Sequence, residues 1–64
     1  MNILKIIDYI RIHNITKNEF CKKCNIKIST LDDIIYYGKH VDYQVAEKIS
    51  EVMGLGVYEL YILN

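Results

Sequence analysis

Proline and tryptophan are absent from this chain, phenylalanine occurs once, and glycine occurs three times in 64 residues. Without proline, no segment is barred from a helix interior by ring geometry. Cysteine is scarce: two residues cannot build the disulfide framework of a small secreted scaffold. No apolar run approaches the roughly 18 residues of a membrane span. The opening Met1-Asn2-Ile3-Leu4-Lys5, with Asp8 soon after, offers neither the apolar core nor the cleavage site of a signal peptide. Net charge is missing too, because eight Lys/Arg balance eight Asp/Glu. These absences predict a soluble, cytoplasmic protein with reduced thiols, folded as one domain over residues 1–64. A chain this short buries only about 60% of its unfolded surface, so a partner subunit or a metal is a common supplement.

The balanced charge is unevenly spread. Residues 1–40 carry seven basic and four acidic residues (+3), whereas residues 41–64 carry one and four (−3). That polarity can aim the first part at a polyanion, or be a solvated surface with chance asymmetry.

What is present is helical periodicity throughout. Ile3, Ile6, Ile7 and Ile10, with Leu4 widening the stripe, predict a first helix over about residues 2–13. Thr16-Lys17-Asn18-Glu19 reads as a capping box, with Ile15 and Phe20 placed for a hydrophobic staple. A second helix therefore starts at Thr16 and stops near Asn25, which tolerates the left-handed conformation. Ser29 and Thr30 open a third helix over about residues 29–36, with Ile28, Leu31, Ile34 and Ile35 inward and Gly38 as its stop. Asp42 caps a fourth helix whose inner stripe is Val45, Ala46, Ile49, Val52 and Met53; Gly54 ends it. Gly56 starts a fifth, Val57 to Leu63. The fold class is all-α, a compact five-helix bundle.

Cys21 and Cys24 form a C-x-x-C within the second helix, beside Phe20. A redox pair of the thioredoxin type sits at a helix N-terminus after a strand, where the dipole lowers the thiol pKa. Here the helix begins five residues before Cys21, and no strand precedes it. Structural zinc takes four ligands, and the two histidines, His13 and His40, show no ligand spacing. Core packing is the favoured reading for both thiols, and no metal or other cofactor is expected.

In order and spacing the segments resemble the lambda-repressor-like (Cro/repressor, Xre-type) family of helix-turn-helix DNA-binding domains, over nearly the whole chain. ITKNEFCKKCNI, Ile15–Ile26, resembles the family's second helix and turn, with Cys21 in place of a small buried alanine. Ser29-Thr30-Leu31 resembles its S-T-I, Gly38-Lys39 its G-K, and ISEVMGLGVYEL, Ile49–Leu60, its I-A-x-x-L-G-V-S-x-x-E-L. Between Leu31 and Gly38 the chain carries one residue more than the pattern, placed here at Tyr36-Tyr37. Where many members pair an arginine on the first helix with a glutamate on the third, this chain has Ile10 and Ile35. Exchanging both ends of a buried ion pair for apolar groups strands neither charge.

The resemblance implies a third helix in the major groove with its N-terminal residues at base edges. The outward candidates are Lys27, Ile28, Ser29, Thr30, Asp32 and Asp33, with Ile28 suited either to a thymine methyl or to a staple before the helix. Phosphate contacts are expected from Thr16 and Lys17 and from Lys39 and His40. Asp32 and Asp33 can accept from cytosine, or can be ordinary first-turn acids that favour the helix dipole. Either way their charge opposes phosphate.

Val57, Tyr58, Tyr61 and Ile62 form an outward apolar patch, with Leu60 and Leu63 inward. The resemblance implies a homodimer through the fourth and fifth helices, spanning half-sites about 34 Å apart; the alternative cover is a further domain of a longer chain. The function expected is that of a small sequence-specific transcriptional regulator with double-stranded DNA as partner. The rival is a protein-binding module that keeps the scaffold without strong DNA binding. A membrane partner, a small-molecule substrate and enzymatic activity are not expected, since no nucleophile–base pair stands out.

Overall fold

The computed structural model describes residues 1–61, and these form five helices with no strand among them. They are α1 (Ile3–Ile12), α2 (Lys17–Cys24), α3 (Ile28–Tyr37), α4 (Tyr43–Met53) and α5 (Val57–Tyr61). The Cα radius of gyration, 10.4 Å, matches the value of about 11 Å expected for a compact chain of this length.

α2 is the helix whose ends are written most clearly into local sequence. Thr16 Oγ1 accepts from the Glu19 amide at 3.0 Å, while Glu19 Oε1 accepts from the Thr16 amide at 2.8 Å. Both halves of the capping box are therefore made. At the other end Asn25 takes φ 56°, ψ 50°, and the Ile26 amide closes onto the Cys21 carbonyl at 3.0 Å. Three residues later α3 begins, so the chain turns sharply between two helices that pack against each other.

α3 starts one residue before the Ser29 opening predicted above. Its N-cap is Lys27, which offers no side-chain acceptor, and neither Ser29 nor Thr30 caps it. Asp42 is the N-cap of α4 by position, but its side chain makes no capping bond. Gly38 and Gly54 end α3 and α4 in the left-handed region, at φ 60° and φ 72°.

Each helix contributes to one core. Ile6 comes from α1, Phe20, Cys21 and Cys24 from α2, Leu31 and Ile34 from α3, Ile49 from α4 and Leu60 from α5. Fully burying such aliphatic and aromatic side chains contributes about 1.5–3 kcal/mol each. Ala46 and Ser50 are buried beside them, and the Ser50 hydroxyl donates to the Glu47 carbonyl at 2.9 Å. α2 packs on α3 and α4, and α4 on α5. α1 is tied on by the Asn2 amide donating to the Leu60 carbonyl at 2.7 Å and the Tyr9 hydroxyl donating to the Val52 carbonyl at 3.2 Å. The Tyr9 ring also lies 5.7 Å from Phe20.

Three packing expectations are corrected. Leu4 and Ile7 do not complete the inner stripe of α1, being 72% and 39% exposed. Only Ile6 is buried there, with Ile3 and Ile10 at the core's edge, because among the described residues no helix covers the adjoining 4–7–11 row. Ile28 does not face inward either, at 40% exposed. On α5, Leu60 is buried as expected and Tyr58 is exposed, but Val57 and Tyr61 are half-buried. Ile62 and Leu63 lie outside the described residues.

Among the described residues, no helix is long and apolar enough to cross a membrane.

Candidate nucleic-acid interface

α3 buries a narrow edge, Leu31 and Ile34, and leaves its first turn bare. Lys27, Ile28 and Ser29 are exposed in succession, and Thr30 is half-buried behind them. The two acids occupy the next turn. Asp32 and Asp33 are the fifth and sixth residues of α3, so they are not first-turn acids. The dipole argument falls off beyond the first turn, which removes that explanation for them.

Each acid instead faces a lysine that was expected to hold phosphate. Lys17 Nζ lies 2.8 Å from Asp32 Oδ1 and donates to the Tyr36 hydroxyl at 3.2 Å. The same ammonium is 4.9 Å from the Tyr36 ring centroid, nearer the phenol oxygen than the ring face. The bond to Asp32, then that to Tyr36, raises the Lys17 pKa above its ordinary value, with the residual desolvation working the other way. Lys17 thus clamps the first residue of α2 to the second turn of α3. Lys39 Nζ sits 3.8 Å from Asp33 Oδ2, a looser and more exposed pair.

The remaining expected contacts are placed as follows. Thr16 is exposed, but its hydroxyl is committed to the Glu19 amide, with the Glu19 carboxylate beside it. His40 is exposed in the connection between α3 and α4, alongside Lys39. Both therefore flank the two ends of the α2–α3 unit. Tyr36 was not foreseen as part of the cluster. Its spacing of four from Asp32 puts both on one face of α3, a signal in the sequence; that Lys17 lies opposite is set only by how α2 crosses α3.

Cys21 and Cys24 are buried, 4% and 2% exposed, and unbridged. Burial pushes the Cys24 thiol up to about 12, with the neighbouring Cys21 adding to it. Burial likewise raises the Cys21 thiol, the Asp32 charge adding and Lys17 opposing. Such thiols are poor nucleophiles and poor metal ligands at neutral pH. Among the described residues, no group of three or more His, Cys, Asp and Glu side chains is arranged to hold a metal ion.

Ile10 and Ile35 line a shared shallow depression with Ile7, Lys17 and Tyr36. An apolar pair thus occupies the seam between α1 and α3. No family model, curated protein or solved structure matches the chain.

Proposed function

We propose that the chain is a small sequence-specific DNA-binding regulator, with α2 and α3 as a helix-turn-helix of lambda-repressor-like type and α3 in the major groove. One observation carries this reading. α3 is seated by Leu31 and Ile34 and turned away from α2 at the left-handed Asn25, yet its Lys27-Ile28-Ser29 turn is bare. A groove-reading helix needs that combination of fixed orientation and unoccupied leading residues. Ser29 can bond several base edges and Ile28 can meet a thymine methyl. Phosphate contacts fall to Lys27, Lys39, His40 and, on release from Asp32, Lys17. In this reading a homodimer through α4 and α5 doubles a weak footprint, with the exposed Tyr58 and the open sides of the half-buried Val57 and Tyr61 in its interface.

The test is selection from random duplex pools at about 50 and about 200 mM salt. Enrichment of a pseudo-palindrome with half-sites about 34 Å apart is expected, with log affinity falling against log salt by about 0.9 per phosphate engaged. Binding without sequence enrichment, or without salt dependence, overturns it.

The ion pairs favour a second reading, a protein-binding module on the same scaffold. Lys17–Asp32 and Lys39–Asp33 leave the α3 face close to neutral, which suits a protein surface better than a polyanion. A folded chain that retains no duplex at low salt supports this alternative.

A further inference from the structure

We propose that Asp32 is an internal competitor for DNA phosphate, holding the Lys17 ammonium in the unbound protein and surrendering it when a duplex docks. The inference rests on the DNA-binding reading above and specifies how that site is regulated.

An ammonium has three donors. Two of those on Lys17 already have acceptors, the Asp32 carboxylate at 2.8 Å and the Tyr36 hydroxyl at 3.2 Å. A phosphate oxygen arriving at Lys17 therefore meets a site whose positive charge is spent on an adjacent carboxylate. Two anions on one exposed ammonium repel, so the phosphate gains little until the carboxylate is displaced. Asp32 is correspondingly a weaker acceptor for a base edge, because one of its two oxygens, Oδ1, is already held by Lys17 and its charge is shared with that ammonium. Asp33 supplies the contrast within the same helix: its lysine is 3.8 Å away and the pair makes no hydrogen bond within ordinary limits. The tight clamp and the loose one should thus respond differently to removal of their acids.

The consequence is a duplex affinity held down by the protein's own carboxylate. Breaking the pair on binding exposes a charge on Asp32 as Lys17 neutralises one on DNA, so the contact contributes little to counterion release.

Fluorescence anisotropy with a random-sequence duplex, across a salt series, compares the wild type with Asp32→Asn, Lys17→Gln and the double variant. Thermal melts show that each is folded, and Asp33→Asn serves as the control. Asp32→Asn is expected to tighten binding by up to roughly fivefold and to steepen the salt slope by up to about 0.9. In the Lys17→Gln background the same exchange should have a much smaller effect, and Asp33→Asn should give the smaller gain of a loose pair. Equal gains from Asp32→Asn in both backgrounds overturn the exchange by showing a general charge effect, while leaving the DNA-binding reading intact. Weaker binding by Asp32→Asn overturns it by showing that the carboxylate supports the duplex-binding surface instead of competing with phosphate. No duplex binding by any folded variant overturns both readings together.

Discussion

α2 and α3 lie side by side, joined by three residues, and are stabilised in opposite ways. α2 has eight residues, a complete capping box, a left-handed stop and three core side chains. α3 has ten residues, no side-chain cap at its start, two core side chains and two exposed tyrosines at its end. Neither is long enough to persist alone in water. The difference lies at the start of each helix: α2 is capped by its own Thr16 and Glu19 and buries more of its side chains, whereas α3 lacks a side-chain cap and is seated by Leu31 and Ile34.

The largest expected effect breaks α2. Phe20→Ala removes a fully buried ring and should cost about 3–5 kcal/mol, against about 2–5 kcal/mol for Leu31→Ala on α3. A chain of this length has roughly 3–10 kcal/mol in all, so Phe20→Ala should be largely unfolded in urea titrations followed by circular dichroism. A greater loss from Leu31→Ala would reverse the comparison.

Alkaline pH attacks α2 from within. The Cys24 thiol is neutral in the fold and its pKa is raised from 9.0 to about 12. The unfolded chain therefore sheds this proton first as pH rises. The stabilisation is whole below pH 9.0 and is lost between there and about 12, at about 1.4 kcal/mol per pH unit. Urea midpoints measured across that window should fall in the wild type and fall less in Cys24→Ala. An identical pH profile in the two proteins would show that Cys24 is not sealed in the core.

The smallest effects test the helix starts. Thr16→Ala should cost about 1 kcal/mol through the lost cap. Lys27→Ser, which supplies α3 with the acceptor it lacks, should gain up to about 1 kcal/mol. Thermal melts measure both, and a neutral result at Thr16 would remove the local advantage assigned to α2.

Local rules carried far in this chain. Thr16 and Glu19 announce α2, Asn25, Gly38 and Gly54 announce three helix ends, and the apolar rows of α2 and α4 name their buried faces. These depend on contacts within a few residues, so the sequence alone contains the geometry. Ser29 and Thr30 marked the start of α3 to within a residue, although the helix begins at Ile28 with Lys27 as its N-cap and neither hydroxyl makes a capping bond. Leu4, Ile7 and Ile28 misled because periodicity finds an apolar row without saying whether a neighbour covers it.

The candidate site divides along the same line. The exposure of Lys27 and Ser29 was legible, since it follows from the helical register of α3, whereas Ile28 fell on the apolar row and proved exposed beside them. The engagement of Lys17 by Asp32 and Tyr36, and of Lys39 by Asp33, was not. The sequence determined which helices form and which charges α3 bears. The crossing of α2 over α3 decided that Asp32 meets Lys17, because that counter-ion is reached through space and not along the chain, whereas Asp33 meets Lys39 through the local fold-back after Gly38, where the Lys39 amide donates to the Asp33 carbonyl.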